Sequence, residues 1–261
     1  MKHTFAICAY GDSPYLETCI RSLKRQSEKT EIILCTSTPS QYVKETAKRY
    51  QIPVYVREGK NGIQEDWNFA YEMAEGDYVT LAHQDDMYHK DYVKFLLQRA
   101  EQYPDMTVFT TDYATVKGNR LQSRKGLVEW VKVILRLPLT NPEWTDREWV
   151  KKAALIFGNP ICCPSCAYHK KLLGEGPLFT SRFHYVLDWD TMWKLAGEKG
   201  RFVCEERPLI YYRVHDGATT KQWIDAGGRT EEEMDMFRKL WPEPAARLIE
   251  YFYRKAYKAY D

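Results

Sequence analysis

Two adjacent carboxylates, Asp85 and Asp86, follow an apolar run, Tyr78-Val79-Thr80-Leu81-Ala82, that reads as a short buried strand. Open α/β sheets bind ligands at the C-terminal edge of their strands. A carboxylate pair delivered there suits a hard divalent cation, because Mg2+-type ions take one or two carboxylates together with substrate phosphate oxygens. The competing reading of His83-Gln84-Asp85-Asp86 is a solvated turn, in which Asp is common. Two further polar sets occupy comparable positions: Asp188 and Asp190 open a helical segment, and Arg213 with His215 closes a strand. A carboxylate pair with a later histidine makes a cation site with open positions, and a metal-free aspartate makes a general base. Together they are equipment for displacing a diphosphate leaving group.

Elements that could position these groups follow in a regular order. A first strand, Thr4–Tyr10, runs into the turn Gly11-Asp12-Ser13-Pro14, after which Ser13 is expected to cap a helix with Pro14 in its first position and Leu16, Cys19, Ile20 and Leu23 on its apolar face. Strand Glu31–Leu34, helix Gln41–Tyr50, strand Val54–Val56, helix Gln64–Ala74, the Asp-bearing strand, helix Lys90–Gln102 and strand Thr107–Thr111 come next. This alternation predicts a mainly parallel sheet with helices on both faces. The second half is less regular: an apolar helix Leu127–Leu137, a helix Glu148–Phe157, a small-residue loop Gly158–Cys166, a helix within Phe183–Ala196, a strand Pro208–Val214 ending in His215-Asp216-Gly217, and a tail of two helices broken at Pro242 and Pro244. No GxGxxG or GxxxxGK[ST] is present, which excludes the usual dinucleotide and P-loop fingerprints.

The 261 residues fit one large α/β domain with an appendage, and 44% apolar residues are enough for a sizeable core. With 38 basic against 36 acidic residues the formal charge is +2, so bulk electrostatics argues against nucleic acid as a partner. The opening MKHTFAICAYGD is too short in apolar residues for a signal peptide, no run approaches a membrane span, and seven cysteines in a chain of this size read as reduced thiols, so a cytoplasmic location is expected. Cys162, Cys163 and Cys166 contain a C-x-x-C, but a zinc site would need four ligands and no second pair is nearby. They read as a packed loop. The helix at 127–137 and the tail RLIEYFYRKAYKAY mix apolar, aromatic and basic residues, which fits peripheral contact with an anionic membrane face or packing on the domain or a second copy.

Four segments resemble the family 2 inverting glycosyltransferases of the GT-A fold. AICAYGDSPYLETCIRSLKRQS is similar to the family's opening strand, turn and helix; KNGIQEDWNFAYEMAEGDYVTLAHQDDMY resembles the segment that leads into its D-x-D metal motif; VLDWDTMWKLA resembles its ED-W-D-x-W segment; and PLIYYRVHDGATT resembles the P-L-x-Y-Y-R-x-H segment that closes the domain. The match spans about residues 3–220, in the family's order. It implies a GT-A domain over 1–220, with a nucleotide-sugar-binding half at 1–115 and an acceptor-side half at 116–220, followed by a helical extension at 221–261. Four positions depart from the pattern: His83 stands for the first Asp of D-x-D, Thr36 for the acid that often ends the second strand, Trp67 for a helix Arg, and Leu187 for the Glu of ED.

The resemblance implies a metal-dependent transfer from a nucleotide-diphosphate sugar to a hydroxyl of a glycan or lipid-linked saccharide, as in surface polysaccharide synthesis. It assigns Mn2+ or Mg2+ to Asp85, Asp86 and His215, and the base to Asp188. The donor falls to Ala9, Tyr10, Asp12, Thr36, Gly62, Asn68, Asp85 and Arg213. His83, Trp67 and Asp190 are near the site without a fixed role. A nucleotidyltransferase would need a Gly-rich, basic phosphate loop after the first strand, which Tyr10-Gly11-Asp12-Ser13-Pro14 lacks. A catalytically degenerate module is the remaining alternative, sustained by His83 and Thr36.

Overall fold

Strands buried on both faces need near-continuous apolar runs, and the N-terminal half supplies them. In the computed structural model, which describes residues 1–118, 120–122, 127–215 and 228–258, β1 (His3–Ala9), β2 (Glu31–Thr36), β3 (Val54–Val56) and β4 (Tyr78–His83) pair in parallel in the order β3-β2-β1-β4. Helices α1 (Leu16–Lys24), α2 (Gln41–Arg49) and α3 (Ile63–Met73) make the crossovers. The sheet continues as β4-β8-β6-β9-β5 through β5 (Met87–Tyr88), β6 (Met106–Lys117), β8 (Ala167–His169) and β9 (Arg201–Val214), with β7 (Arg120–Leu121) pairing β6. Here β8 is antiparallel to both neighbours, β6 and β9 are parallel, and β5 is antiparallel to β9. Residues on either side of position 115 therefore share one mixed sheet.

Alternation along β1 and β4 divides the core. Phe5, Ile7, Tyr78 and Ala82 pack with α1, α2 and α4 (Tyr92–Gln102), whereas Ala6, Val79 and Leu81 pack with α3, with α6 (Glu148–Ala153) and α8 (Leu187–Gly197), and with the C-terminal helices α9 (Gly228–Leu240) and α10 (Glu243–Lys258). The short α7 (Lys170–Leu173) follows β8, and α5 (Leu127–Arg136) lies beside α10.

Several boundaries differ from expectation for physical reasons. Helix α1 starts at Leu16, and Ser13 Oγ accepts only from Tyr15 N at 3.3 Å, so Ser13 does not cap it; the apolar face Leu16, Cys19, Ile20, Leu23 is buried as expected. Strand β6 runs on through Asp112 to Lys117 because β9 pairs with it along its length. Strand β9 begins at Arg201, and Pro208 falls where the register shifts between Thr111 and Asp112, a bulge that needs no amide donor. Helix α6 ends at Ala153, ahead of Gly158, whose φ of +141° ordinary residues avoid. Pro244 sits within the first turn of α10, where proline is tolerated, leaving Pro242 as the break. The expected Asp216-Gly217 turn and residues 259–261 of the tail lie outside the described residues.

Candidate active site

The β4 strand ends in a tight turn, Asp86 N donating to His83 O at 3.2 Å, and β9 returns alongside it. Arg213 N donates to Asp86 Oδ1 at 2.9 Å, and its guanidinium donates to the Asp85 carbonyl at 3.0 Å and the Gly118 carbonyl at 3.1 Å while lying 4.4 Å over the Tyr15 ring. His215 Nε2 meets Asp85 Oδ2 at 2.8 Å. Two of the three polar sets thus converge as expected. Arg213, expected at the diphosphate, instead uses its donors on backbone carbonyls and clamps the turn.

Asp86 is 1% exposed, and its Oδ2 has no hydrogen-bond partner among the described residues; the same holds for His83 Nε2. Ligand atoms of His83, Asp85 and Asp86 all lie within 4.8 Å of one another. Burial, reinforced by the charge of Asp85, pushes the Asp86 carboxyl well above its usual range against the opposing Arg213 N–H. Burial lowers the His83 pKa, keeping the imidazole neutral with a lone pair to give. A buried orphan carboxylate oxygen, a second carboxylate and a neutral imidazole form a donor set that fits a divalent cation such as Mn2+. His215 stands beside this group, bonded to Asp85. His83, left without a role in the sequence, is inside it.

Asp188 occupies the first turn of α8. Burial raises its pKa to about 6, opposed by the N–H groups of Trp189 and Asp188, by Asn159 Nδ2 donating at 3.0 Å, and by the charge of Lys132. Burial and then the charge of Asp86 push the Cys162 thiol upward, with Lys132 opposing and Cys166 and Asp188 adding to the effect. Its loop is packed, as expected: the Tyr88 and Tyr92 hydroxyls donate to Pro164 O at 2.6 Å and Ser165 O at 2.9 Å. Asp190 is structural, paired with Lys194 at 3.0 Å and with Lys239.

At the C-terminal end of β1, Tyr10 is exposed beside Ala9, its backbone fixed by Gln84, whose Nε2 donates to Tyr10 O at 2.8 Å. Asp12 Oδ1 accepts from Ser40 Oγ at 2.5 Å, tying the first turn to the start of α2. Thr36 is buried and accepts from Thr38 N at 3.0 Å. A carboxylate does stand at the end of β2, but α3 supplies it: Asp66 accepts from Ser37 Oγ at 2.9 Å and from Arg57 Nε at 2.7 Å. Gly62 caps α3 with extended backbone. Asn68, expected to face the donor, instead exchanges both its polar groups with the Phe179 backbone, at 2.7 and 2.8 Å.

Other contributors had weak sequence signals. Lys132, one of two cations in an apolar helix, donates to the Tyr113 hydroxyl at 2.8 Å, and its charge lowers the Asp188 pKa. Asn159 follows the left-handed Gly158, whose added Cβ would come within 2.6 Å of the Tyr253 ring. Glu232 on α9 accepts from the amides of His184, Tyr185 and Val186 at 2.6 to 3.2 Å, anchoring the loop that opens α8. No sequence pattern links Glu232 to a loop nearly fifty residues earlier.

Sheet order, cation-competent turn and first-turn aspartate together define a GT-A glycosyltransferase. The glycosyl transferase family 2 model matches residues 4–173, and the chain belongs to that family of enzymes. Similar solved structures include S. aureus TarS 1-349, at TM-score 0.64 and 15% identity over 96% of this chain and 69% of that one. The same protein in complex with UDP-GlcNAc gives 0.63 and 15% over 96% and 70%. The mannosyltransferase PcManGT from Pyrobaculum calidifontis, in complex with GDP-Man and Mn2+, gives 0.66 and 15% over 99% and 71%. In another crystal structure of S. aureus TarS the matched chain is longer, and this chain covers 42% of it. No curated protein matches the sequence.

Proposed function

We propose that the chain is a metal-dependent inverting transferase that moves a sugar from a nucleotide-diphosphate donor to a hydroxyl of a glycan or lipid-linked saccharide in surface polysaccharide synthesis. The observation that carries this reading is the grouping of His83, Asp85 and Asp86, whose ligand atoms lie within 4.8 Å of one another and which includes the buried, unpartnered Oδ2 of Asp86. Asp85 and Asp86 would hold the cation, with His215 fixing or completing the set, and Mn2+ or Mg2+ there supplies Lewis-acid neutralisation of the leaving diphosphate. Donor complexes of the structural neighbours, UDP-GlcNAc and GDP-Man, support a nucleotide sugar.

Asp188 does the proton chemistry. Ionised above its pKa of about 6, it takes the proton of the acceptor hydroxyl as that oxygen attacks the anomeric carbon opposite the diphosphate, and a single displacement inverts configuration. Asn159 and Lys132 orient and stabilise the carboxylate. The exposed apolar residues Trp130, Ile134 and Leu137, with Leu248 and Phe252 near Arg254 and Lys255, support peripheral contact with an anionic membrane that carries the acceptor. Among the described residues no helix is long and apolar enough to cross a membrane.

A panel of UDP- and GDP-sugars, with and without Mn2+, tests the reading by calorimetry and by the anomeric configuration of any product. Asp188→Asn is expected to lower turnover by about 10²–10⁴-fold while donor affinity is kept. Unchanged turnover in that variant, or a product of retained configuration, would remove Asp188 as the inverting base.

A further inference from the structure

Two of the positions at which this chain departs from the family pattern touch each other. Trp67, where a helix Arg is usual, stacks on His83, where the first metal-motif Asp is usual, with ring centroids 5.1 Å apart and planes 30° from parallel. Period-2 alternation places His83 on the same face of β4 as Val79 and Leu81, the face that α3 covers. Trp67 is itself pinned: Phe179 meets it edge-on at 5.1 Å, and the Asn68–Phe179 backbone pair locks that loop to α3. His83 therefore sits in a fixed orientation with Nε2 buried and unpartnered, and a ring nitrogen of His83 lies within 4.8 Å of carboxylate oxygens of Asp85 and Asp86. A buried imidazole nitrogen and a buried carboxylate oxygen, each without a partner and on residues of one such group, are costly unless something binds them.

We propose that His83 is a nitrogen ligand of the cation, positioned by Trp67, and that it makes this site select Mn2+ over Mg2+. The inference rests on the reading of the turn as a cation site and adds a ligand and a metal preference to it. Mg2+ is a hard ion that prefers oxygen and demands near-ideal octahedral geometry, whereas imidazole favours the later first-row ions. Replacing a carboxylate by imidazole also removes one negative charge from the site, which disfavours Mg2+ further. Trp67 acts through His83 by fixing the ring plane, as partners of metal-bound histidines do elsewhere.

The test uses the full chain freed of metal and then given Mn2+ alone. Electron spin-echo spectra of bound Mn2+ are expected to show nitrogen coupling in the wild type, to lose it in His83→Gln and to keep it in His215→Gln. Labelling histidine with 15N in the wild-type chain should change the coupling without any mutation. By calorimetry, His83→Asp is expected to lower the ratio of Mn2+ to Mg2+ affinity by about tenfold or more, and Trp67→Ala to weaken Mn2+ binding by about 10-fold, with Trp67→Phe restoring most of it. Nitrogen coupling absent from the wild type, or retained in His83→Gln, overturns the assignment and leaves the cation reading standing. A wild-type chain that binds no Mn2+ overturns both.

Discussion

At the scale of single residues, what decides the chemistry is how unlike the environments of two carboxylate centres are. Burial, and then the charge of Asp85, push the Asp86 carboxyl well above its usual range, a cost that a bound cation would offset. Asp188 titrates at about 6, so it is largely ionised at neutral pH yet basic enough to accept a proton. The logarithm of kcat/KM should therefore rise with pH and level off above about 6, because the working form is the deprotonated one. Lys132 favours that form, so Lys132→Met should move the limb to higher pH, read from a full pH profile at saturating Mn2+. A limb that stays in place would separate Lys132 from the base. The carboxylates were legible in the sequence because each follows a strand or opens a helix. Lys132 was not, since a cation in an apolar helix looks the same whether it faces a membrane, a partner or a buried carboxylate. Asp66 escaped for a related reason: its position in α3 follows helical spacing, and only packing reveals that it reaches the end of β2.

Elements set how firmly these residues are held. Helix α8 is fixed at its start by Glu232 and along its length by Trp189, whose indole nitrogen donates to Leu155 O at 2.9 Å and whose ring meets Phe237 and Tyr253. Glu232→Ala leaves three amides without their acceptor. It should cost about 1–3 kcal/mol in urea unfolding and, because the loop opens the helix that carries Asp188, lower kcat more than it raises the donor KM. A variant with lost stability but unchanged kcat would show that the loop can move without the base. The parallel half of the sheet was readable from the chain because buried strands alternate with amphipathic helices. The long β6–β9 pairing was not, because polar residues such as Asp112 and Glu205 interrupt the apolar pattern, and pairing with a partner strand overrides local preference. The two tail helices were legible through Pro242, but their seat against Trp189 is a long-range contact that no local pattern encodes.

At the scale of the whole molecule, the exposed large apolar residues include Trp130 and Ile134 on α5 and Leu248, Tyr251 and Phe252 on α10, two helices that contact each other. The chain should float with vesicles containing anionic lipid and not with neutral ones. Trp130→Glu combined with Ile134→Glu should release it while leaving transfer to a water-soluble acceptor unchanged. Equal flotation of the variant, or a wild-type dimer that buries these residues in sedimentation, would remove the membrane from the reading. The ties that close the turn carrying Asp85 and Asp86 are long-range: Arg213 lies 127 residues beyond Asp86, and His215 lies 130 beyond Asp85. During synthesis the aspartates leave the ribosome long before either partner exists. Until β9 threads between β6 and β5, both of those strands keep a bare edge. The nascent protein therefore carries an unfinished sheet for most of its translation, a stage at which chaperone protection matters most. The groups that close this turn arrive within the last quarter of the 261 residues, so a ribosome that stalls before residue 201 leaves a fragment with the aspartates and neither Arg213 nor His215 to hold them.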